Sequence, residues 1–475
     1  MPKLKIAKID LLNISLVLAF LVLLYLLINK HIIFGSVTGN FAYRYINNIT
    51  IRPILTFFIL TPLILYLVYL THKYIQKRDA KIIVLWLIAG FIFQILIQSL
   101  YPYPLETLVQ SLTSNAYYEQ SLKYSPKELL SNFHSIDLFG HSRNNMPGKI
   151  LFFHFLGIWT RSPQIMGYLI IIFSNLGAVL VYYISKILFR DKLIAIYSLI
   201  LYLFIPAKLF FFPILNTISP VFILLLLLIF ILYLEQNKIA YLFLCGILTY
   251  LILLFDPLTL VLGIMFIFIY AKYHWEKKLG IFHFLKTVSY SLLSFFLIHF
   301  CFLLFFKFNI IKTFITVSKM AMSFNIKANR SYGIWIINNP KDFLINLGIM
   351  PAILFLIRIV YLVKEIIQIL KSKFNEEKRI TKIIFESGNL ITLSFLTVLI
   401  FIVFIGINRG ETIRLWIFLM VFVQIIVSHF CVKKLNFTTF YLILMSMILQ
   451  TIITISMVSF LNYNVVDEYI IHFLK

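Results

Sequence analysis

Polar residues along this chain do not alternate with apolar ones. They collect in short stretches that separate long, almost uninterrupted apolar runs. A helix crossing the hydrocarbon core needs about 20 such residues, and thirteen runs qualify: 11–29, 53–71, 82–100, 164–185, 193–212, 217–234, 240–255, 257–271, 287–306, 343–363, 388–407, 413–431 and 437–460. The pair 240–255 and 257–271 is short, and Asp256-Pro257 between them reads either as a kink or as a turn. Lys3, Lys5 and Lys8 precede the first run, but no small-residue cleavage site follows it, so it is expected to be retained as a span. The pattern predicts an all-α polytopic membrane protein, one integral domain over 1–475, with about 13 transmembrane helices.

Composition removes the alternatives. Of 475 residues, 61% are hydrophobic and only 13% charged, too few to cover a soluble globule of this size. The net charge of +24 would suit nucleic acid if it formed a basic domain, but the basic residues are scattered between apolar runs. Their distribution follows topology instead. With the N-terminus in the cytoplasm, Lys73, Lys77, Arg78, Lys81, Lys186, Arg190, Lys192, Lys272, Lys277, Lys278, Lys433, Lys434 and the charged 364–386 loop all fall inside. Cys245, Cys301 and Cys431 have no paired spacing.

Two long loops remain on the outer face, 101–163 and 307–342, and both carry aromatic residues suited to the membrane interface. Short amphipathic helices are expected in them. No internal repeat marks the chain as a secondary transporter. A carboxylate working on this face must come from a short list: Glu106, Glu119, Glu128, Asp137, Asp256, Asp342, Glu411, Asp467 or Glu468. The first loop reads Ser114-Asn115-Ala116-Tyr117-Tyr118-Glu119, then Pro126 to Phe133, then Asp137. It closes on His141-Ser142-Arg143-Asn144-Asn145-Met146-Pro147-Gly148-Lys149, whose Pro-Gly step gathers a His, an Arg and a Lys at the membrane surface.

These stretches resemble the GT-C membrane glycosyltransferases, in particular the protein mannosyltransferase and aminoarabinose transferase type. Asn115-Ala116-Tyr117-Tyr118 is similar to the family's acid-before-Tyr element, and His141 through Gly148 to its His-x-Pro-Pro-Gly-like element. Phe189-Arg190-Asp191-Lys192, Ile205-Pro206-Ala207 and the stretch with Trp335, Asn338, Asn339 and Pro340 look like the regions that follow. Arg409-Gly410-Glu411-Thr412-Ile413-Arg414-Leu415-Trp416 resembles an Arg-Gly-Glu-x-x-Arg-Leu-Trp pattern of some bacterial members. The resemblance runs over roughly 100–430. One departure stands out: the family's Asp in the first outer loop has no counterpart in residues 30–52, which contain no acid.

The resemblance implies an inverting transfer from a polyprenyl-phosphate sugar to an acceptor, at the outer face of a bacterial cytoplasmic membrane. Membrane lipids would be its surroundings, and the acceptor is a protein, lipid or glycan. Glu119 or Asp137 would serve as the base in place of the missing Asp. Asn115, Tyr118, His141, Arg143, Lys149, Arg409, Glu411 and Arg414 would bind substrate, the cations holding the phosphate. Neither outer loop holds an Asp-x-Asp or Glu-x-Asp pair, so a divalent metal has little support and no cofactor is firmly implied. Each residue also has a plain structural reading: Glu119 as a solvated loop acid, Asp137 as a turn residue, Arg143 and Lys149 as headgroup anchors, and Arg409, Glu411 and Arg414 as an ion cluster. Two further classes fit the same hydropathy, a transporter or flippase of a lipid-linked or polar substrate, and an O-antigen polymerase or ligase type enzyme relying on arginines.

Overall fold

The computed structural model describes residues 6–46, 49–139, 142–370 and 381–464. It is an all-α polytopic membrane protein. Among the described residues, eleven helices are long and apolar enough to cross a membrane, or twelve if the bent pair Tyr332–Asn346 and Ile349–Gln368 counts as one span. Helices dominate because backbone polar groups in hydrocarbon have no water to bond, and the helix satisfies them internally. Every predicted run contains helix. The 240–255 run is a shorter helix, Ile239–Phe255, of 17 residues, about 25 Å long at the α-helical rise.

Local chemistry moves the boundaries. The 343–363 run begins only at Ile349, behind a bend of 113° where Gly348 takes φ +114, a region most side chains avoid. The 193–212 run breaks before Pro206, giving Lys192–Leu203 and Pro206–Phe210. The 413–431 run yields a short helix, Thr412–Leu415, and then Ile417–Lys434. Both predicted loops contain helices: Leu105–Gln110, Leu112–Lys123, Pro126–Ser131 and Gly148–Gly157 in the first, Ile310–Lys327 and Tyr332–Asn346 in the second. Glu128 has a capping role there, since the Ser125 hydroxyl accepts from its N–H while its own carboxylate accepts from the Ser125 N–H.

Side-chain ties at the helix ends decide whether Asp256-Pro257 is a kink or a turn. At one end of Ser219–Gln236, Ser219 Oγ donates to Asp256 Oδ2 at 2.5 Å. Near its other end, Tyr273 Oη donates to Glu235 Oε1 at 2.6 Å. Ile239–Phe255 therefore runs back along its neighbour, and Pro257–Lys277 reverses again. Asp256 is a turn on one face of the bundle.

A small antiparallel sheet fixes what else shares that face. Gly35–Ser36 pairs with Phe41–Tyr45, which pairs with Val458–Asn464, joining the segment after the first span to the segment after the last. The alternation of spans places residues 99–139, 142–162, 204–218, 307–348 and 406–416 on the same face, termed here the site face. One group of buried polar side chains is bonded within the bundle: Gln94 with Asn175 and with Leu203 O, and Lys208 Nζ with Asn175 Oδ1 at 2.8 Å. They act as packing elements between helices.

This topology is checked by labelling. In a cysteine-free background, Asn40→Cys and Lys307→Cys should react with a membrane-impermeant maleimide from one side and Lys238→Cys only from the other. Labelling of Asn40→Cys and Lys307→Cys from opposite sides would contradict the arrangement.

Candidate functional site

The site face holds a cleft in two adjoining parts with lining residues in common. The larger, about 510 Å³, is lined on its apolar side by Val261, Phe314, Val317, Phe401, Ile402 and Ile405, and on its polar side by Asn144, Asn145, Lys149 and Asp256. The smaller, about 150 Å³, shares Asn144, Asn145, Ala321 and Asn408 with it and adds Asn325, Arg330, Arg409, Glu411 and Arg414. Phe401 and Ile405, which line the larger part, are 46% and 45% exposed on the lipid-facing surface of the bundle, and Met322 beside them is 54% exposed. The cleft thus opens sideways between spans as well as toward water.

Its floor depends on close packing at Gly148. A Cβ there would lie 2.4 Å from Leu254 O and 2.6 Å from Phe255 Cα, so only glycine lets the Gly148–Gly157 helix start against the end of Ile239–Phe255. That contact brings Lys149 beside Asp256. Lys149 is buried, with its ammonium 5.6 Å from the centre of the Tyr117 ring. Burial pushes its pKa down; the Asp256 carboxylate opposes that shift and Arg414 adds to it. Burial also raises the Tyr117 and Tyr43 phenols. Asp256 is 9% exposed, and Ser219 is its hydrogen-bond donor.

The arginine end is built around Glu411. Arg330 Nη1 and Nη2 donate to its Oε1 at 3.3 and 3.2 Å, and Arg414 donates to Oε2. Arg330 and Glu411 are buried and Arg414 is partly buried. The turn that carries Glu411 is left-handed at Gly406, Gly410 and Glu411 itself, with φ of 61, 84 and 59. Neighbouring helices hold it in place: Asn325 Nδ2 donates to Ile407 O, Asn339 Nδ2 to Asn408 O, and the Gly410 N–H donates to Asn339 Oδ1. Arg409 is bound to backbone, donating to Arg330 O at 3.0 Å and Gly406 O at 3.3 Å, with its guanidinium 5.6 Å from the Tyr332 ring centre. Trp335 packs against Gly39 and Gly410 and donates its indole N–H to Gly39 O.

The residues singled out from sequence are divided by this geometry. Lys149, Arg409, Glu411 and Arg414 come together in the cleft. Glu119 does not line it; the helix that bears it places Tyr118 against Arg161 O instead. Asp137 and Arg143 line a separate surface cavity of about 470 Å³ with His134, on the far side of the Asn144-Asn145 step. His141 and the Asn115 side chain lie outside the described residues, as do Asp467 and Glu468. Asp342 is buried away from the cleft, accepting from the Gly35 N–H at 3.0 Å with Lys341 alongside. Among the described residues no three His, Cys, Asp or Glu side chains group as metal ligands.

Sequence reading missed the role of Arg330 and undervalued Asp256. Arg330 is the one arginine in an acid-free stretch from 307 to 341, a signal visible in the chain. Asp256 is a lone acid between two apolar runs, and only the turn shows that it faces a cleft. No protein family, curated relative or solved structure matches this chain.

The ion cluster makes a direct test. Glu411→Gln leaves the buried Arg330 and the partly buried Arg414 without their counter-charge, and removing one partner of a buried pair costs about 3–5 kcal/mol. The denaturation midpoint of the purified protein should fall accordingly; an unchanged midpoint would show that the cluster is solvated and energetically idle.

Proposed function

We propose that the cleft is the active site of a membrane transferase that moves a sugar from a polyprenyl-phosphate donor to an acceptor hydroxyl or amine. One observation carries this reading: a cavity that runs from lipid-exposed apolar side chains between spans to Lys149 and Asp256 adjoins, across shared lining residues, a second one holding Arg330 and Arg414, and among the described residues no cation pairs directly with the Asp256 carboxylate. A lipid tail matches the first half and a phosphate the second. A soluble nucleotide-sugar would need no sideways opening.

The chemistry follows from residue types. Asp256, oriented by the Ser219 hydroxyl, is placed to take the acceptor's proton as it attacks the sugar's anomeric carbon. The bond from that carbon to the phosphate oxygen breaks, and the electron pair leaves on the polyprenyl phosphate. Lys149 and the guanidinium groups of Arg330 and Arg414 stabilise that developing charge. Glu411 keeps the two arginines fixed and has its own charge committed to them, which makes it a positioning residue. In this reading Asp256 takes the role expected of Glu119 or Asp137. Arg409, tied to backbone carbonyls, shapes the turn.

Asp256→Asn should lower turnover of a polyprenyl-phosphate sugar by at least about a hundredfold, the usual worth of a general base, while binding of a short polyprenyl phosphate persists. Glu119→Gln and Asp137→Asn should change turnover little. Full turnover in Asp256→Asn would remove the base assignment, and no consumption of any polyprenyl-phosphate sugar by the unmodified protein would remove the reaction.

A pH dependence follows as well. Lys149 binds phosphate as the ammonium, and its pKa lies below the ~10.4 of a free lysine. Affinity for farnesyl phosphate should therefore be full below that lowered pKa and fall as the pH rises through it. Lys149→Arg should shift the fall to higher pH. An identical alkaline limb in both proteins would show that Lys149 does not contact the phosphate.

A further inference from the structure

The Ile310–Lys327 helix forms one wall of both parts of the cleft, and among the described residues a strip of its outward side is left exposed. Phe314, Val317, Ser318, Ala321 and Asn325 face the cleft or its turn. The exposed side is ordered by chemistry. At about 100° per residue, Ile311, Ile315 and Ile326 fall along one stripe, with Met322 at its edge where it also reaches the cleft, and Lys312, Lys319 and Lys327 fall along the adjacent stripe; all seven are exposed.

The charge of this region is one-sided. Residues 307–341 hold Lys307, Lys312, Lys319, Lys327, Arg330 and Lys341 and no acid. Among the described residues none of Lys307, Lys312, Lys319 and Lys327 takes part in an ion pair. An apolar stripe flanked by lysines on an otherwise anchored helix is the pattern of a segment lying in a membrane interface, with apolar side chains among the acyl chains and ammonium groups on anionic headgroups.

We propose that the Ile310–Lys327 helix binds an anionic lipid surface, and that this contact sets the position of the cleft wall. Two anchors couple the helix to the rest of the site face. Thr313 Oγ1 lies 3.2 Å from His134 Nε2, and Asn325 Nδ2 donates to Ile407 O at 2.7 Å, at the start of the turn that carries Glu411. Lipid charge therefore reaches the arginine cluster through one helix. The inference concerns the helix and its lipid partner and stands apart from the transfer reaction.

The test uses the full chain in nanodiscs of phosphatidylcholine alone or mixed with phosphatidylglycerol, read by hydrogen exchange. Amides of Ile310–Lys327 should exchange several-fold more slowly in the anionic lipid, and the difference should shrink as salt rises. The combined Lys312→Gln, Lys319→Gln and Lys327→Gln variant should show equal exchange in both lipids, with the spans as protected as in the unmodified protein. Equal exchange of the unmodified helix in the two lipids would overturn the proposal, as would a lipid difference that survives in the triple variant. So would protection in neutral nanodiscs that appears only on adding polyglutamate, which would assign the lysines to an acidic protein partner.

Discussion

The site face is organised by the compensation of one buried carboxylate, Glu411, by two guanidinium groups, the buried Arg330 and the partly buried Arg414. Charges leave water only when paired and fully bonded, so this cluster fixes where the loop between Ser387–Ile405 and Ile417–Lys434 meets the helices of residues 310–346. Glu411 holds a left-handed backbone conformation that non-glycine residues adopt at a cost of about 1–2 kcal/mol, and the ion pairs offset it. Asn325, Asn339 and Arg409 then bond the same turn through its backbone. Because the turn, the 310–327 helix and the Asn144-Asn145 step share the walls of the cleft, its shape follows from this one set of contacts.

The second determinant is the contrast between the two ends of the cavity. Spans contribute Val261, Phe401, Ile402 and Ile405 because the bilayer selects apolar side chains there, and the turns that cap those spans contribute Lys149, Asp256 and the arginines because they reach the interface. An amphiphilic cavity at the boundary between hydrocarbon and water results directly. A substrate with a lipid tail and a charged head complements both halves at once, and the cations sit where a phosphate leaving group needs them.

How much of this was legible in the chain depended on the range of the signal. Span lengths are local, so the thirteen runs, the short helix at 240–255 and the aromatic loops were readable from hydropathy. The Asp256-Pro257 ambiguity was not, because a kink and a turn have the same local sequence and are separated only by the distant ties of Ser219 and Glu235. The sheet pairing residues 41–45 with 458–464 escaped for the same reason: its strands are short and joined across almost the whole chain. Among candidate site residues, Lys149, Glu411 and Arg414 were marked by clustering, whereas Arg330 joins Glu411 across 81 positions, a pairing no spacing rule contains. Asp137 and Arg143 share the polar character of the cleft residues, and only the direction of the chain at Asn144-Asn145 separates them from it.

The central claim, that one amphiphilic cleft receives a lipid-linked phosphate, is tested most directly by an electron cryomicroscopy map of the protein with a polyprenyl-phosphate sugar in lipid. The account predicts density for the phosphate in contact with Lys149 and Arg414, the sugar toward Asp256, and the tail leaving between Pro257–Lys277 and Ser387–Ile405. Ligand density confined to another cavity, or a phosphate that contacts neither Lys149 nor the arginines around Glu411, would contradict it.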